Sequence, residues 1–190
     1  MDNGVSDRER ELERIREFLV LLARLQIDPL FQGKVDLSGV VQQSLLEVHQ
    51  AYDQFHSWDE ARQAAWLRKV LAHNLTDEVR KLRTAGRDVT REQPLEAALE
   101  RSSARLEACL AADQSSPSMQ AIRHEQLLRL AAALARLPED QRTAVELHHL
   151  RGCAVADVAR LMDRSNGAVG ALLVRGLKKL RGLLQVTEGG

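Results

Sequence analysis

Apolar residues recur along this chain every three to four positions, and long alternating runs are absent, so the pattern predicts helices. Leu12, Ile15, Phe18, Leu19, Leu22 and Leu25 form a first stripe. Ser6 and Glu9 sit at cap and capping-box positions ahead of it, and Pro29 stops it, because the residue before proline is pushed out of helical geometry. Asp36 or Ser38 opens a second helix, with Val41, Leu45, Val48, Tyr52 and Phe55 as its buried stripe. Trp58-Asp59-Glu60 starts a third, striped by Ala65, Leu67, Val70, Leu71, Leu75, Val79 and Leu82 and closed by Gly86. From Pro94 to Pro117 the pattern fades into Ser-, Ala- and Asp-containing sequence. A weak helix over 95–110 and a linker are expected there. Ile122, Leu127, Leu130, Leu134 and Leu137 resume the helical period, and Pro138 followed by Glu139 and Asp140 reads as a first helical turn.

The last block carries the strongest local signal. Val155–Met162 is a short amphipathic run, Asp163-Arg164-Ser165 is a polar break, and a second run continues to Leu184. Two helices joined by a tight turn, the second with a basic tail, form a helix-turn-helix pattern, whose second helix enters a DNA major groove. Val155, Val158, Ala159 and Met162 are expected to pack inward. Ser165 should cap the second helix, with Val169, Leu172, Leu173, Leu177 and Leu180 on its core side. Arg164, Ser165, Asn166, Gly167, Gly170 and Ala171 then face base edges, while Arg175, Lys178, Lys179 and Arg181 lie further along, toward phosphates. The bland alternative is a helical hairpin with a solvated basic face.

Composition narrows the class. The 190 residues suit one or two domains, and aromatic content of 3% leaves a core of Leu, Val, Ile and Ala. The 27 basic and 27 acidic residues cancel, so only their distribution is informative. One basic zone runs from Trp66 to Arg91 and another from Arg160 to Val186, with an acidic stretch between Glu92 and Asp113. Cys109 and Cys153 have no metal-type spacing and are expected to stay reduced. From the polar start a signal peptide is not expected, and no apolar run reaches the roughly 20 residues of a membrane span, so a cytoplasmic location is expected.

On the third helix, Arg68, Lys69, His73, Asn74, Asp77, Arg80, Lys81 and Arg83 make a polar, mostly basic face. That face can hold a nucleic-acid strand, or it can be a solvated face laced by pairs such as Asp77–Lys81. His148 and His149 are adjacent and diverge on a helix, and Glu146 three residues before His149 is an ordinary surface spacing. Gly-rich phosphate loops, nucleophile elbows and zinc-helix motifs are missing, so an enzyme is not expected and no cofactor, metal or small-molecule substrate is implied.

Taken in order, these motifs resemble bacterial RNA polymerase sigma factors of the extracytoplasmic-function group. The segment 39–47, Gly-Val-Val-Gln-Gln-Ser-Leu-Leu-Glu, is similar to the family's Asp-Leu-Val-Gln-Glu segment. Residues 65–80 are similar to its Trp-Leu-x-x-Ile-Ala-x-Asn-x-x-x-Asp-x-x-Arg segment. Leu137–Arg142, Ser165-x-x-Ala168-Val169 and Arg175-Gly176-Leu177-x-x-Leu180-Arg181 are similar to its promoter-reading domain. The resemblance implies an all-α chain of two small helical bundles. Residues 1–91 correspond to a region 2-type domain, 92–120 to a flexible linker and 121–190 to a region 4-type helix-turn-helix domain. It implies core RNA polymerase, at its clamp and flap, and promoter DNA as partners. Gly39, Val40, Gln42, Gln43, Leu46 and Glu47 correspond to the clamp-binding segment. The helix 65–83 face reads and opens the −10 element, with Phe55, His56, Ser57 and Trp58 around a flipped base. The second bundle reads the −35 element.

One departure stands out: Gly39 and Gln43 occupy positions where the family has acids. Phosphorylation of Ser38 or Ser44 by a Ser/Thr kinase is one way to restore the charge; the bland alternative is that Glu47 and other contacts suffice, and an anti-sigma factor is another candidate regulator. A dimeric helix-turn-helix regulator with a signal-sensing N-terminal half is the main alternative, and a helical interaction module without a DNA role is a third.

Overall fold

The computed structural model describes residues 3–27, 35–85 and 120–186. Every element among these residues is helical: α1 (Asn3–Gln26), α2 (Leu37–Gln50), α3 (Tyr52–His56), α4 (Glu60–Ala85), α5 (Gln120–Ala135), α6 (Glu139–Val145), α7 (Val155–Met162) and α8 (Asn166–Val186). A π-helical turn, Glu146–Leu150, extends α6. The chain divides into two compact units, Met1–Leu128 and Arg129–Gly190, so the boundary falls inside α5. The expected linker, the helix over 95–110, Gly86 and Cys109 lie outside the described residues.

In the first unit α2 packs against α1 and α4, and α1 also packs against α4. Ile15, Phe18, Leu19, Leu22 and Leu25 of α1 are buried as their period predicts, with Leu21 and Ala23 beside them. Helix α1 begins at Asn3, ahead of the expected cap at Ser6. Asp36 caps α2, accepting the Gly39 N–H at 2.9 Å. On α2 the buried set is Val40, Val41, Ser44 and Val48; Leu45 is only half-buried. The stripe drawn through Tyr52 and Phe55 is interrupted at Ala51, where α2 ends and the short α3 begins. Asp59 starts α4 by accepting the Arg62 N–H at 2.9 Å. Along α4, Ala64, Leu67, Val70, Leu71, Ala72 and Leu75 face the core, whereas Ala65 is exposed.

In the second unit α8 packs on α6 and α7. Pro138 stands one position outside α6, as its N-cap, with Glu139 and Asp140 in the first turn near the positive helix end. After the π turn, Gly152 takes φ 74°, a left-handed value that glycine adopts at no steric cost. Asp163 ends α7 at φ 52°, ψ 52°, a conformation aspartate tolerates better than most residues. Ser165 then caps α8: its Oγ accepts the Ala168 N–H at 3.2 Å. Val158, Ala159, Val169, Leu173 and Leu180 are buried between the two helices of this hairpin and α6. Gly176 is also at close quarters, since an added Cβ would lie 3.0 Å from Val145 Cγ2 and 3.4 Å from the Gln141 carbonyl oxygen. That spacing sets how deeply α8 seats on α6.

Candidate nucleic-acid interface

The second unit gathers a row of cations on its last helix. Helix α8 holds Arg175, Lys178, Lys179 and Arg181, and no aspartate or glutamate occurs along its 21 residues. All four cations are exposed, on the side away from Val169, Leu173 and Leu180. Arg164, Ser165, Asn166 and Gly167 are exposed at the N-terminal end, and Gly170 and Ala171 are half-exposed. The ten positions read from the sequence thus lie at one helix and its entry turn. Arg164 is additionally anchored, its Nη2 donating to Asp140 Oδ2 at 3.1 Å. That pair ties the turn to the start of α6, and being half-exposed it fixes geometry more than it adds stability.

Behind this face the π turn makes a compact polar cluster. His148 Nδ1–H donates to the Cys153 carbonyl at 2.8 Å, holding the turn into α7. The His148 and His149 rings meet edge-on with centroids 4.7 Å apart. Their sequence spacing suggested divergence on an α-helix; within the π turn the two rings are in contact. Partial burial, and then the neighbouring His148, hold the His149 imidazole below its ordinary value. Glu146 is buried, with Arg142 Nε at 3.9 Å from its Oε1. Among the described residues no group of three or more His, Cys, Asp or Glu is placed to hold a metal.

The first unit presents a different surface. Lys69, His73 and Arg80 lie along the exposed side of α4 with Asp77 between them. Asp77 sits 3.4 Å from His73 Nε2 and 3.7 Å from Arg80 Nη1. Lys81 pairs with Glu78 at 3.2 Å, not with Asp77 as its spacing suggested. Arg68 is half-buried, and the Arg83 side chain lies outside the described set.

Asn74 does not belong to this face. Its Nδ2 donates to Ser44 Oγ at 3.1 Å and to Glu47 Oε1 at 2.9 Å, so it clasps α4 to α2. Ser44, read as a phosphorylation candidate, is fully buried, and its hydroxyl donates to the Val40 carbonyl at 2.8 Å. A kinase cannot reach it without opening the bundle. Ser38 remains exposed. Of the residues read as clamp-binding, Val40 is buried in the core, whereas Gln42, Gln43 and Leu46 are exposed together. Glu47 is half-buried and shared with Asn74. At Gly39 an added Cβ would lie 2.5 Å from Asp36 Oδ2. Glycine here lets the Asp36 carboxylate close over the start of α2, so the helix carries an acid at its N-cap.

Between α3 and α4 the aromatics gather. Phe55 is 1% exposed, so its ring belongs to the core and cannot trap a base. Trp58 and Trp66, both half-buried, meet edge to face at 5.7 Å, and each lies against Phe55. The Arg62 guanidinium stacks 4.4 Å above the Trp58 ring. Gln63 Nε2 donates to the carbonyls of Phe55 and Trp58 at 3.1 and 3.2 Å, fixing the loop. Arg62 was missed in the sequence because it precedes the family-like segment; its four-residue spacing from Trp58 was the available signal. His56 is exposed beside Glu11, which also accepts a hydrogen bond from the Tyr52 hydroxyl. Burial and Glu11 push that phenol up to about 12.

The second unit is therefore a helix-turn-helix with a cationic outer helix, a class that binds duplex DNA. Residues 127–180 match the family model described as "Sigma-70, region 4", which supports a DNA-binding role in transcription initiation for this part of the chain. No curated protein matches the chain.

Proposed function

We propose that the chain is a transcription initiation factor of the sigma-70 type, of the extracytoplasmic-function group, that binds core RNA polymerase and directs it to specific promoters. The observation that carries this reading is the coincidence of the region 4 match with a capped, acid-free cationic helix at the outer side of a helix-turn-helix. In this reading residues 121–190 read the −35 element through α8, and residues 92–120 link them to a promoter-opening domain, 1–91. The exposed Gln42, Gln43 and Leu46 of α2 meet the polymerase clamp, joined by the acid at Asp36. Lys69, His73, Asp77, Arg80 and Lys81 of α4 hold the strand, and Trp58 with its stacked Arg62 offers a surface for an unstacked base. Base stacking on an aromatic is tolerant of sequence and contributes about 1–3 kcal/mol. The polymerase performs the chemistry. Regulation by an anti-sigma factor, or by a kinase acting at Ser38, belongs to the same reading.

Pull-down of purified core RNA polymerase by the full chain tests it. Retention of core enzyme that falls with Leu46→Asp is expected. No retention under any salt condition contradicts it and leaves the stand-alone helix-turn-helix regulator in its place.

A further inference from the structure

Val174 is 69% exposed, the most exposed large apolar side chain among the described residues. It stands on the outward side of α8, three residues after Ala171 and four before Lys178, spacings that place all three on one face. Arg175, Lys178 and Arg181 surround it. An isopropyl group ringed by cations does not suit a second apolar protein face, but it does suit a polyanion that carries apolar groups in a groove. The thymine C5-methyl is that group in the DNA major groove. The positions preceding it on this face, Gly167, Gly170 and Ala171, have no side-chain donor or acceptor. Packing within the protein does not demand glycine there, since an added Cβ at 167 or 170 would meet nothing within 4 Å. Hydrogen-bond readout is thus confined to Arg164, Ser165 and Asn166 at one end and the cations at the other, and the middle of the face reads by apolar contact.

We propose that Val174 is a specificity-determining residue that packs on a thymine methyl group in the major groove of the promoter element α8 reads. This rests on the promoter-reading role assigned to α8 above.

The experiment uses the full chain with core RNA polymerase. A duplex library randomised over the upstream element is selected first, and each thymine of the selected element is then replaced singly by deoxyuridine, which lacks only the methyl. Wild type should bind one uracil-substituted duplex about fourfold more weakly, the effect of burying one methyl-sized group. Val174→Ala should bind that duplex and its thymine parent equally, while its helical circular dichroism matches wild type. A selected element without thymine, no loss with uracil at any position, or a thymine preference that survives in Val174→Ala overturns the proposal. So does a Val174→Ala variant that loses core binding and keeps the preference, which would place the residue against the polymerase. If wild type selects no element at all, the promoter-reading role itself fails, and this proposal with it.

Discussion

Helices α4 and α8 each carry a row of cations, yet only α4 supplies its own acids. Asp77 sits beside His73 and Arg80, and Glu78 takes Lys81. Helix α8 has four cations and no acid. Rows of Lys and Arg on two helices therefore produce different electrostatics. A phosphate approaching α8 displaces counterions, whereas one approaching α4 must also compete with carboxylates already in place. Under the proposed function, the difference assigns α8 the long-range attraction to duplex DNA. The same proposal leaves α4 and the Trp58–Arg62 stack the short-range contacts to a strand that has already been brought near.

Four outcomes break or sharpen that contrast. The largest effects come from the cores beneath the two faces. Leu75→Ala under α4 and Leu173→Ala under α8 should each lower stability by about 2–5 kcal/mol in denaturant unfolding, Leu173 toward the low end because it is 8% exposed and Leu75 fully buried. Next, Asn74→Ala leaves Ser44 and Glu47 without their donor and should cost about 1–3 kcal/mol. If Asn74 instead reads bases, the variant keeps wild-type stability and loses only promoter opening. Third, Lys178→Ala with Arg181→Ala should flatten the salt dependence of duplex binding by about two units of the log–log slope. Lys69→Ala with Lys81→Ala on α4 should flatten it by less, and equal changes would erase the contrast.

The smallest effect is a pH dependence. Because His149 titrates below the ordinary imidazole value of 6.5, its folded state favours the neutral ring. Its contribution is therefore present above pH 6.5 and is lost as pH falls through the lower folded value. Thermal melting should show a loss of stability at pH 5.5 that His149→Gln reduces, and an unchanged loss in the variant would assign it elsewhere.

The sequence conveyed the second unit better than the first. Ser165, Val169, Leu173 and Leu180 fall on one helical period with a cap in front, and local pattern suffices where one face is buried and the other wet. In the first unit the informative residues are polar ones turned inward. Ser44 and Asn74 look like surface residues until the approach of α2 to α4 pairs them, and pairing across elements leaves no periodic trace. Phe55 fits both a buried stripe and a base-trapping loop in the sequence, and only its burial in the structure assigns the ring to the core. The π turn at Glu146–Leu150 was equally hidden, because an α-helical period continues through it and the wider winding is seen in backbone bonds such as that from Arg151 N–H to the Glu146 carbonyl, 2.9 Å.

In vitro transcription with core RNA polymerase on a fragmented genomic library, with start sites read by sequencing, tests the central claim most directly. Adding the chain should create a set of new starts, each downstream of one shared two-part sequence, and Lys178→Ala with Arg181→Ala should weaken them. Start sites identical with and without the chain would contradict a role in initiation.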